Sequence, residues 1–577
     1  VRVKLIYDKP IEGTDYAKSL LKIRGIEEVE KFLEPDESVL NKPYNLGVII
    51  KIAFDMLMEH IKKDSKILLV VDSDMDGFCS AAIMYQFIQE NRPTLNIDFI
   101  CHENKQHGIE DILKRKDIND YDLVILPDAG TNDGRFYAQY PSVDFLVLDH
   151  HEPDKELFIE SANMYLVNNQ ISEQYTNKSL CGTGVVWQFL RNFSSSVGKY
   201  IDLVGFATVS DMMDLRVLEN RYLVDQGLSS VKNHFLKALI EKQSFSLKDG
   251  PLTPIKVAFY IAPLINAMCR VGTMAEKNQM FIAFIDGTRK VPCKKRGATG
   301  TLEEVAIESA RECTNARSRQ KNLEEKMTEL ANMQIINNNL LDNKILVVIL
   351  DDEFEDIPSE INGLAAAKLV SKYKRPVLVL RRGKDGQLKG SARGLSTIDM
   401  PPLKDFLESS NYFEYNSGHQ LAHGASISQK NLELLHSWAN EKLKDVDFNE
   451  GVWEVDFIFD ITNIKELPHI IDDLEDYKTT WGQCNPDPIV AVRGIKGNVL
   501  NTVIKGATKN TVEISYRDVK YLFFKCTPEE VKNLTSKDIV LDIVGNVSIN
   551  YYNGRSTPQV IVKDYEIYES FGMDFDF

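Results

Sequence analysis

Lys66-Ile67-Leu68-Leu69-Val70-Val71-Asp72-Ser73-Asp74-Met75-Asp76-Gly77 runs from an apolar stretch of strand length straight into alternating aspartates and a glycine. A polar turn or a calcium loop could carry such aspartates. The calcium pattern, however, needs a Glu six residues after the Gly, and Ile83 stands there. What lifts the stretch above a turn is repetition. Leu126-Pro127-Asp128 and Leu148-Asp149-His150-His151 also place acid or histidine at the end of an apolar run, Val209-Ser210-Asp211 follows later, and Ser417-Gly418-His419-Gln420 lies far downstream. Clustered carboxylates suit hard divalent cations, and imidazole suits manganese and its neighbours. Taken singly, paired histidines after a strand are often core or capping residues, Asp211 is an ordinary loop carboxylate and His419 a turn residue. Together they predict a metal-dependent phosphoesterase.

The surrounding pattern predicts an α/β fold. Lys66–Val71, Ile97–Cys101, Leu123–Leu126, Phe145–Leu148 and Met164–Val167 read as strands, with helical stretches such as Ser80–Gln89 between some of them. This is the signature of a parallel sheet with crossover helices, whose ligands bind outside the carboxyl ends of the strands. Residues 1–60 read as a helical lead-in, 61–300 as the catalytic domain and 301–340 as a connecting helix that starts at Leu302-Glu303-Glu304. A smaller α/β domain is expected over 341–447, with strands Ile345–Leu350 and Pro376–Leu380 and a helix near Gly363–Lys372. A β-barrel of oligonucleotide-binding type is expected over 448–566. An acidic, aromatic tail over 567–577 completes the chain.

Composition narrows the partners. The 577-residue chain is 43% hydrophobic and 27% charged, with a formal net charge of −17. Such a chain repels a polyanion except where basic residues gather. Lys372, Lys374, Arg375, Arg381, Arg382, Lys384, Lys389 and Arg393 against Asp385 make one such run, and Arg289, Lys290, Lys294, Lys295 and Arg296 another. Each reads equally well as a solvated basic face. The eight cysteines include no C-x-x-C pair, which argues against a zinc finger or a disulfide framework. No run of about 18 apolar residues is evident, so no membrane span is expected, and a reducing cytoplasm is the simplest compartment.

At this point the chain resembles the DHH phosphoesterase family, and within it the RecJ-type single-strand-specific exonucleases. The likeness runs from about Lys66 to Asp564. It includes Cys181-Gly182-Thr183-Gly184-Val185, Asp211-Met212-Met213-Asp214-Leu215, Glu219-Asn220-Arg221 and Ile265-Asn266-Ala267 followed by Arg270. Gly390-Ser391-Ala392-Arg393, Gly418-His419 and Ala422-His423-Gly424 resemble the DHH-associated domain, and Trp481-Gly482-Gln483-Cys484-Asn485-Pro486-Asp487-Pro488 the lead-in to the RecJ barrel. The chain departs from the family at Cys269, where Gly is usual, and at Ser417, where a second Gly commonly stands.

The resemblance implies roles. Asp74 would bind one metal ion and Asp76 the other, with Asp128 bridging. His150 and Asp211 would complete the second site, and His151 would contact the scissile phosphate. Asp72 and Asp149 would be ligands or would orient ligands. Asn266, Arg270, Ser391, Arg393 and His419 would hold DNA or a nucleotide phosphate, Arg393 by a charge-assisted contact. Two Mn²⁺ or Mg²⁺ ions about 3.5–4 Å apart can activate water and stabilise the leaving oxygen without a side-chain nucleophile. The implied activity is 5′→3′ hydrolysis of single-stranded DNA by a monomer, in recombination, repair or replication. Against it stand a phosphodiesterase for short oligonucleotides or cyclic dinucleotides, and a scaffold without activity. The barrel argues against the first and the full ligand set against the second. The tail, Tyr568 to Phe577, reads as solvated or as an edge strand. Its alternating acids and aromatics also resemble the acidic tips of single-strand binding proteins and could engage such a protein or a replication partner.

Overall fold

The computed structural model describes residues 1–7, 15–103, 106–248, 250–295, 297–298, 300–351, 357–383, 386–448, 451–535, 538–552 and 554–569. Lys384, Asp385, Arg296 and most of the expected tail, 570–577, lie outside these. The chain divides into two compact units, one of Glu30–Glu324 with Thr479–Asn485, the other of Val1–Val29, Glu325–Lys478 and Pro486–Phe577.

The first unit holds a sheet of five parallel strands: β1 (Ile67–Val71), β2 (Ile97–Cys101), β3 (Leu123–Pro127), β4 (Asp144–Asp149) and β5 (Met164–Asn168), in the order β2-β1-β3-β4-β5. Every residue of β1 and β3 is buried. Helices cover both faces of a parallel sheet, so its strands read as unbroken apolar runs rather than alternating ones. Helix α1 (Met75–Asn91) leaves β1 almost without a loop, because Asp74 caps it by accepting from the Gly77 amide at 3.1 Å. Such a cap is the local stop signal between strand and helix. Gly77 is required there: a Cβ would lie 2.4 Å from Asp72 Cβ and 2.7 Å from its backbone. Helices α2 (Gly182–Arg191) and α3 (Ile201–Ser210) follow, then α4 (Ala262–Val271). Among the described residues one stretch, Pro254–Val271, is long and apolar enough to cross a membrane, and half of it is buried within the protein.

Helix α5 (Val305–Asn337) is shorter at its start than the sequence suggested. Leu302–Glu304 forms a strand antiparallel to Lys290–Pro292, with Lys290 opposite Glu304. The helix-favouring Leu-Glu-Glu is overridden by this ladder. The same contact changes the meaning of the basic run, since Lys290 reaches Glu304 at 3.3 Å and Arg289 reaches Asp286 at 3.0 Å.

The second unit contains a mixed five-stranded sheet. Its strands are β6 (Leu346–Leu350), β7 (Val377–Arg382), β8 (Gln387–Arg393), β9 (Phe413–His419) and β10 (Ala422–Ser428), in the order β9-β10-β8-β7-β6, with α6 (Asn362–Tyr373) between β6 and β7. It also contains a seven-stranded sheet in the order Phe457–Phe459, Ile489–Gly497, Ile539–Tyr552, Arg555–Glu569, Val519–Phe523, Thr511–Tyr516, Thr502–Lys505. Arg555–Glu569 carries the barrel past residue 566, so the start of the expected tail is strand. The lead-in is not purely helical either. Arg2–Leu5 pairs in parallel with Val452–Val455, and Arg24 reaches Asp456 at 2.9 Å and the Pro486 carbonyl at 2.6 Å. Residues 1–29 therefore belong with the carboxyl-terminal part of the chain. Three arginines of the basic run over 372–394 make structural contacts: Arg375 donates to the Asn343 carbonyl at 2.7 Å, Arg381 to Asn362 Oδ1 at 3.1 Å and Arg382 to Asp351 at 3.3 Å.

Candidate metal centre

The carboxyl ends of β1, β3 and β4 converge on one acidic point. His150 Nε2 lies 3.3 Å from Asp128 Oδ1, 3.5 Å from Asp211 Oδ2 and 4.0 Å from Asp76 Oδ2. Ligand atoms of Asp76, His150 and Asp211 fall within 4.8 Å of one another, and so do those of Asp72, Asp74 and Asp128. Asp128 is thus close to both groups.

Each side chain has a local reason for its place. Asp76 sits under the amino terminus of α2, accepting from the Gly182 and Thr183 amides at 2.7 Å each, while Thr183 Oγ1 donates to the Asp76 carbonyl at 2.9 Å. Unpaired amides and the helix dipole favour a carboxylate there. Gly182 permits this close approach, since a Cβ would lie 2.2 Å from Asp128 Oδ1. Asp128 has φ +70, and its amide donates to the Leu148 carbonyl at 2.8 Å. A left-handed backbone is uncommon outside glycine, with Asp among the residues that tolerate it best. Asp211 follows the last turn of α3, its amide donating to Ala207 at 2.9 Å.

Asp149 has a different job. Its carboxylate accepts from the amides of Thr131 at 2.9 Å, His150 at 2.7 Å and His151 at 3.2 Å, and from His151 Nδ1 at 2.8 Å. Burial alone would raise its pKa. The facing His151 and His150 and these hydrogen bonds outweigh burial and hold the carboxyl well below the usual range. Burial works against a charge on His151 as well, but Asp149 prevails and its pKa is pushed up to about 10. His150 goes the other way, lowered first by burial and then by the charge of His151, which favours the neutral ring that a metal ligand needs.

The donor set fits a divalent cation. Asp128 is 2% exposed and its Oδ1 has no hydrogen-bond partner. Burial, followed by the charges of Asp76, Asp74, Asp72 and Asp211, pushes its pKa well above the carboxylate range. Buried like charges are costly unless a counter-charge joins them, and hard cations with oxygen and imidazole ligands supply one.

The sequence reading missed two histidines. His102 is fully buried, with Nδ1 2.6 Å from Asp111 and Nε2 3.6 Å from Asp72 Oδ1. His107 Nδ1 lies 2.6 Å from Asp72 Oδ2. His102 directly follows β2, so the strand-end logic that found Asp72, Asp128 and Asp149 would have found it. His107 sits in a loop without periodicity and leaves no such signal.

Of the remaining predicted residues, Asn266 and Arg270 belong to the first unit and Ser391, Arg393 and His419 to the second. Asn266 and Arg270 lie one turn apart on α4, with Asn266 Oδ1 buried and lacking a hydrogen-bond partner. In the second unit, Arg393 of β8 and His419 of β9 both pair with Ala422 of β10, so the three form one row across the sheet. A Cβ on Gly363 of α6 would lie 2.4 Å from Arg393 Nη2 and 3.4 Å from Ser391 Oγ, so that glycine leaves the two side chains room. His419 is exposed.

Comparison with known proteins agrees with this architecture. Residues 66–208 match the DHH family, N-terminal domain, and residues 458–564 match the RecJ OB domain. The class is therefore a DHH protein carrying a RecJ-type barrel. YorK of the SPbeta prophage in Bacillus subtilis (strain 168), provisionally named a single-strand DNA-specific exonuclease, is 33% identical over 569 residues, covering 96% of each chain. The single-stranded-DNA-specific exonuclease RecJ of the same strain is 25% identical over 579 residues, 96% of this chain and 68% of that one. The crystal structure of RecJ from Thermus thermophilus in complex with Mn²⁺ shares the fold, with TM-score 0.69 and 18% identity over 96% of this chain and 76% of that one. The chain belongs to the family of RecJ and YorK.

Proposed function

We propose that this chain hydrolyses single-stranded DNA from its 5′ end with two divalent cations, Mn²⁺ or Mg²⁺, as cofactors. The observation that carries the reading is Asp128: a buried carboxylate with an unpartnered oxygen, close to two groups of metal-ligating atoms. Asp72, Asp74 and Asp128 would hold one cation, and Asp76, His150 and Asp211 the other, with Asp128 shared. Bound there, the cations supply Lewis-acid charge for phosphodiester hydrolysis. The protein's part is placement. The α2 amides fix Asp76, and Asp149 fixes His151 so that its far edge meets the scissile phosphate. Asn266, Arg270, Ser391, Arg393 and His419 hold the strand, Arg393 as a fixed cation against a phosphate. The names of YorK and RecJ support the single-strand substrate, and the barrel match supports a strand over a small ligand.

Hydrolysis of a single strand should require added Mn²⁺ or Mg²⁺, stop with chelator and return when metal is restored. A blunt duplex of the same sequence should resist. Equal attack on the duplex, or full activity in chelator, would contradict the proposal. Arg393→Ala and His419→Ala should each lower turnover about tenfold or more, the size expected for a lost hydrogen bond to a charged group, with a smaller loss of initial binding. Comparing single-turnover rates with binding in calcium checks this split.

A further inference from the structure

His107 and His151 are built alike. Each ring is anchored through Nδ1 on a buried carboxylate, His107 on Asp72 at 2.6 Å and His151 on Asp149 at 2.8 Å. Both carboxylates are 1% exposed, while the His107 and His151 side chains remain 44% and 50% exposed. The ring centroids are 6.2 Å apart. An imidazole held by one nitrogen presents its other edge in a fixed direction, away from the anchor.

The loop carrying His107 is itself clamped. Ser73 Oγ donates to the Gln106 carbonyl at 2.8 Å, tying the loop to the aspartate-rich turn after β1. The Ile109 amide donates to Asp133 Oδ2 at 2.8 Å. Gly108 has φ +73, and a Cβ there would lie 2.1 Å from Asp133 Oδ2, so no side chain fits between loop and clamp. A ring pinned at its base, set in a fixed loop and left half exposed beside the metal-ligand cluster is arranged to touch something that comes and goes. Core packing would bury it, and a solvated surface histidine would need neither anchor nor clamp.

We infer that His107 is a further substrate-contacting residue, forming with His151 a pair of imidazoles that grip phosphate oxygens of the bound strand on the exposed side of the centre. This rests on the reading of the centre as a phosphodiesterase. The partner chemistry is a phosphodiester, whether the reacting one or its neighbour. With two anchored rings 6.2 Å apart, both can engage one phosphate group or two adjacent ones.

The test compares His107→Ala, His107→Gln and His151→Ala with wild type. Three readouts serve: kcat and KM on a single-stranded oligonucleotide, kcat/KM on bis(4-nitrophenyl) phosphate, and Mn²⁺ affinity by calorimetry. His107→Ala is expected to lower kcat/KM about tenfold or more on the oligonucleotide, with Mn²⁺ affinity within twofold of wild type. Added imidazole should restore part of the loss. The double variant should lose less than the product of the single losses, because the rings share a ligand. Unchanged kinetics in His107→Ala would overturn the inference. So would a fall in Mn²⁺ affinity that accounts for the whole loss, since His107 would then act only by holding Asp72. If wild type cleaves the small diester but not the oligonucleotide, the exonuclease reading fails, and His107 stands or falls on the small diester alone.

Discussion

Asp128→Ala should leave less than about one hundredth of wild-type hydrolysis even in saturating metal, because one substitution strips a ligand from both candidate cation positions. Its effect on folding should be small, and the opposing contributions can be ranked. Removing Asp128 relieves a buried carboxylate facing Asp76, Asp74, Asp72 and Asp211, which favours the variant in metal-free buffer. Against this, alanine must adopt φ +70, at a cost of about 1–2 kcal/mol. The two oppose each other, and Asp128 already adopts this backbone conformation, so metal-free melting should shift little. Metal should separate the proteins instead. A ligand at a hundred times its Kd stabilises the folded state by about 2.7 kcal/mol, and wild type should show this rise while the variant loses most of it. Activity above a few per cent of wild type, or equal metal-induced stabilisation of both proteins, would remove Asp128 from the centre.

Gly182→Ala should reduce activity nearly as far, although residue 182 bears no chemistry of its own. The added Cβ would fall 2.2 Å from Asp128 Oδ1 and 2.7 Å from its Cβ. Either Asp128 rotates or the start of α2 retreats. If α2 retreats, Asp76 loses the amides of Gly182 and Thr183. One methyl group thereby disturbs both ligand groups, and overpacking of this kind costs about 1–3 kcal/mol in stability as well. Gly198→Ala is the control, because a Cβ there meets nothing within 4 Å. Thermal melts and exonuclease rates on the two variants decide the matter. Equal activity in both would mean the tight seat of α2 on the centre is dispensable.

Much of the site was legible because parallel strands are written as unbroken apolar runs. Asp72, Asp128 and Asp149 each mark the end of one, and a parallel sheet gathers such ends at one edge. Asp211 and His419 carry fainter marks and stand out only as members of the set, Arg393 stands out only within a basic run, and Ser391 enters only through likeness to a family. What stayed hidden depends on distance along the chain. Nothing local in Arg2–Leu5 announces pairing with Val452–Val455. Leu302-Glu303-Glu304 favours helix by propensity and becomes strand through its partner. The left-handed backbone of Asp128 and the anchoring of His107 on Asp72 arise from packing around the site, where tertiary contacts decide and periodicity is silent.

The most direct test of the account uses one single-stranded oligonucleotide labelled separately at its 5′ and 3′ ends, incubated with the purified chain and Mn²⁺ at less than one turnover per molecule. Early release of 5′ label as mononucleotide, with 3′ label retained in long strands and no release in chelator, is the predicted result. Release of 3′ label first, or internal cuts that shorten both labelled strands at once, would contradict it.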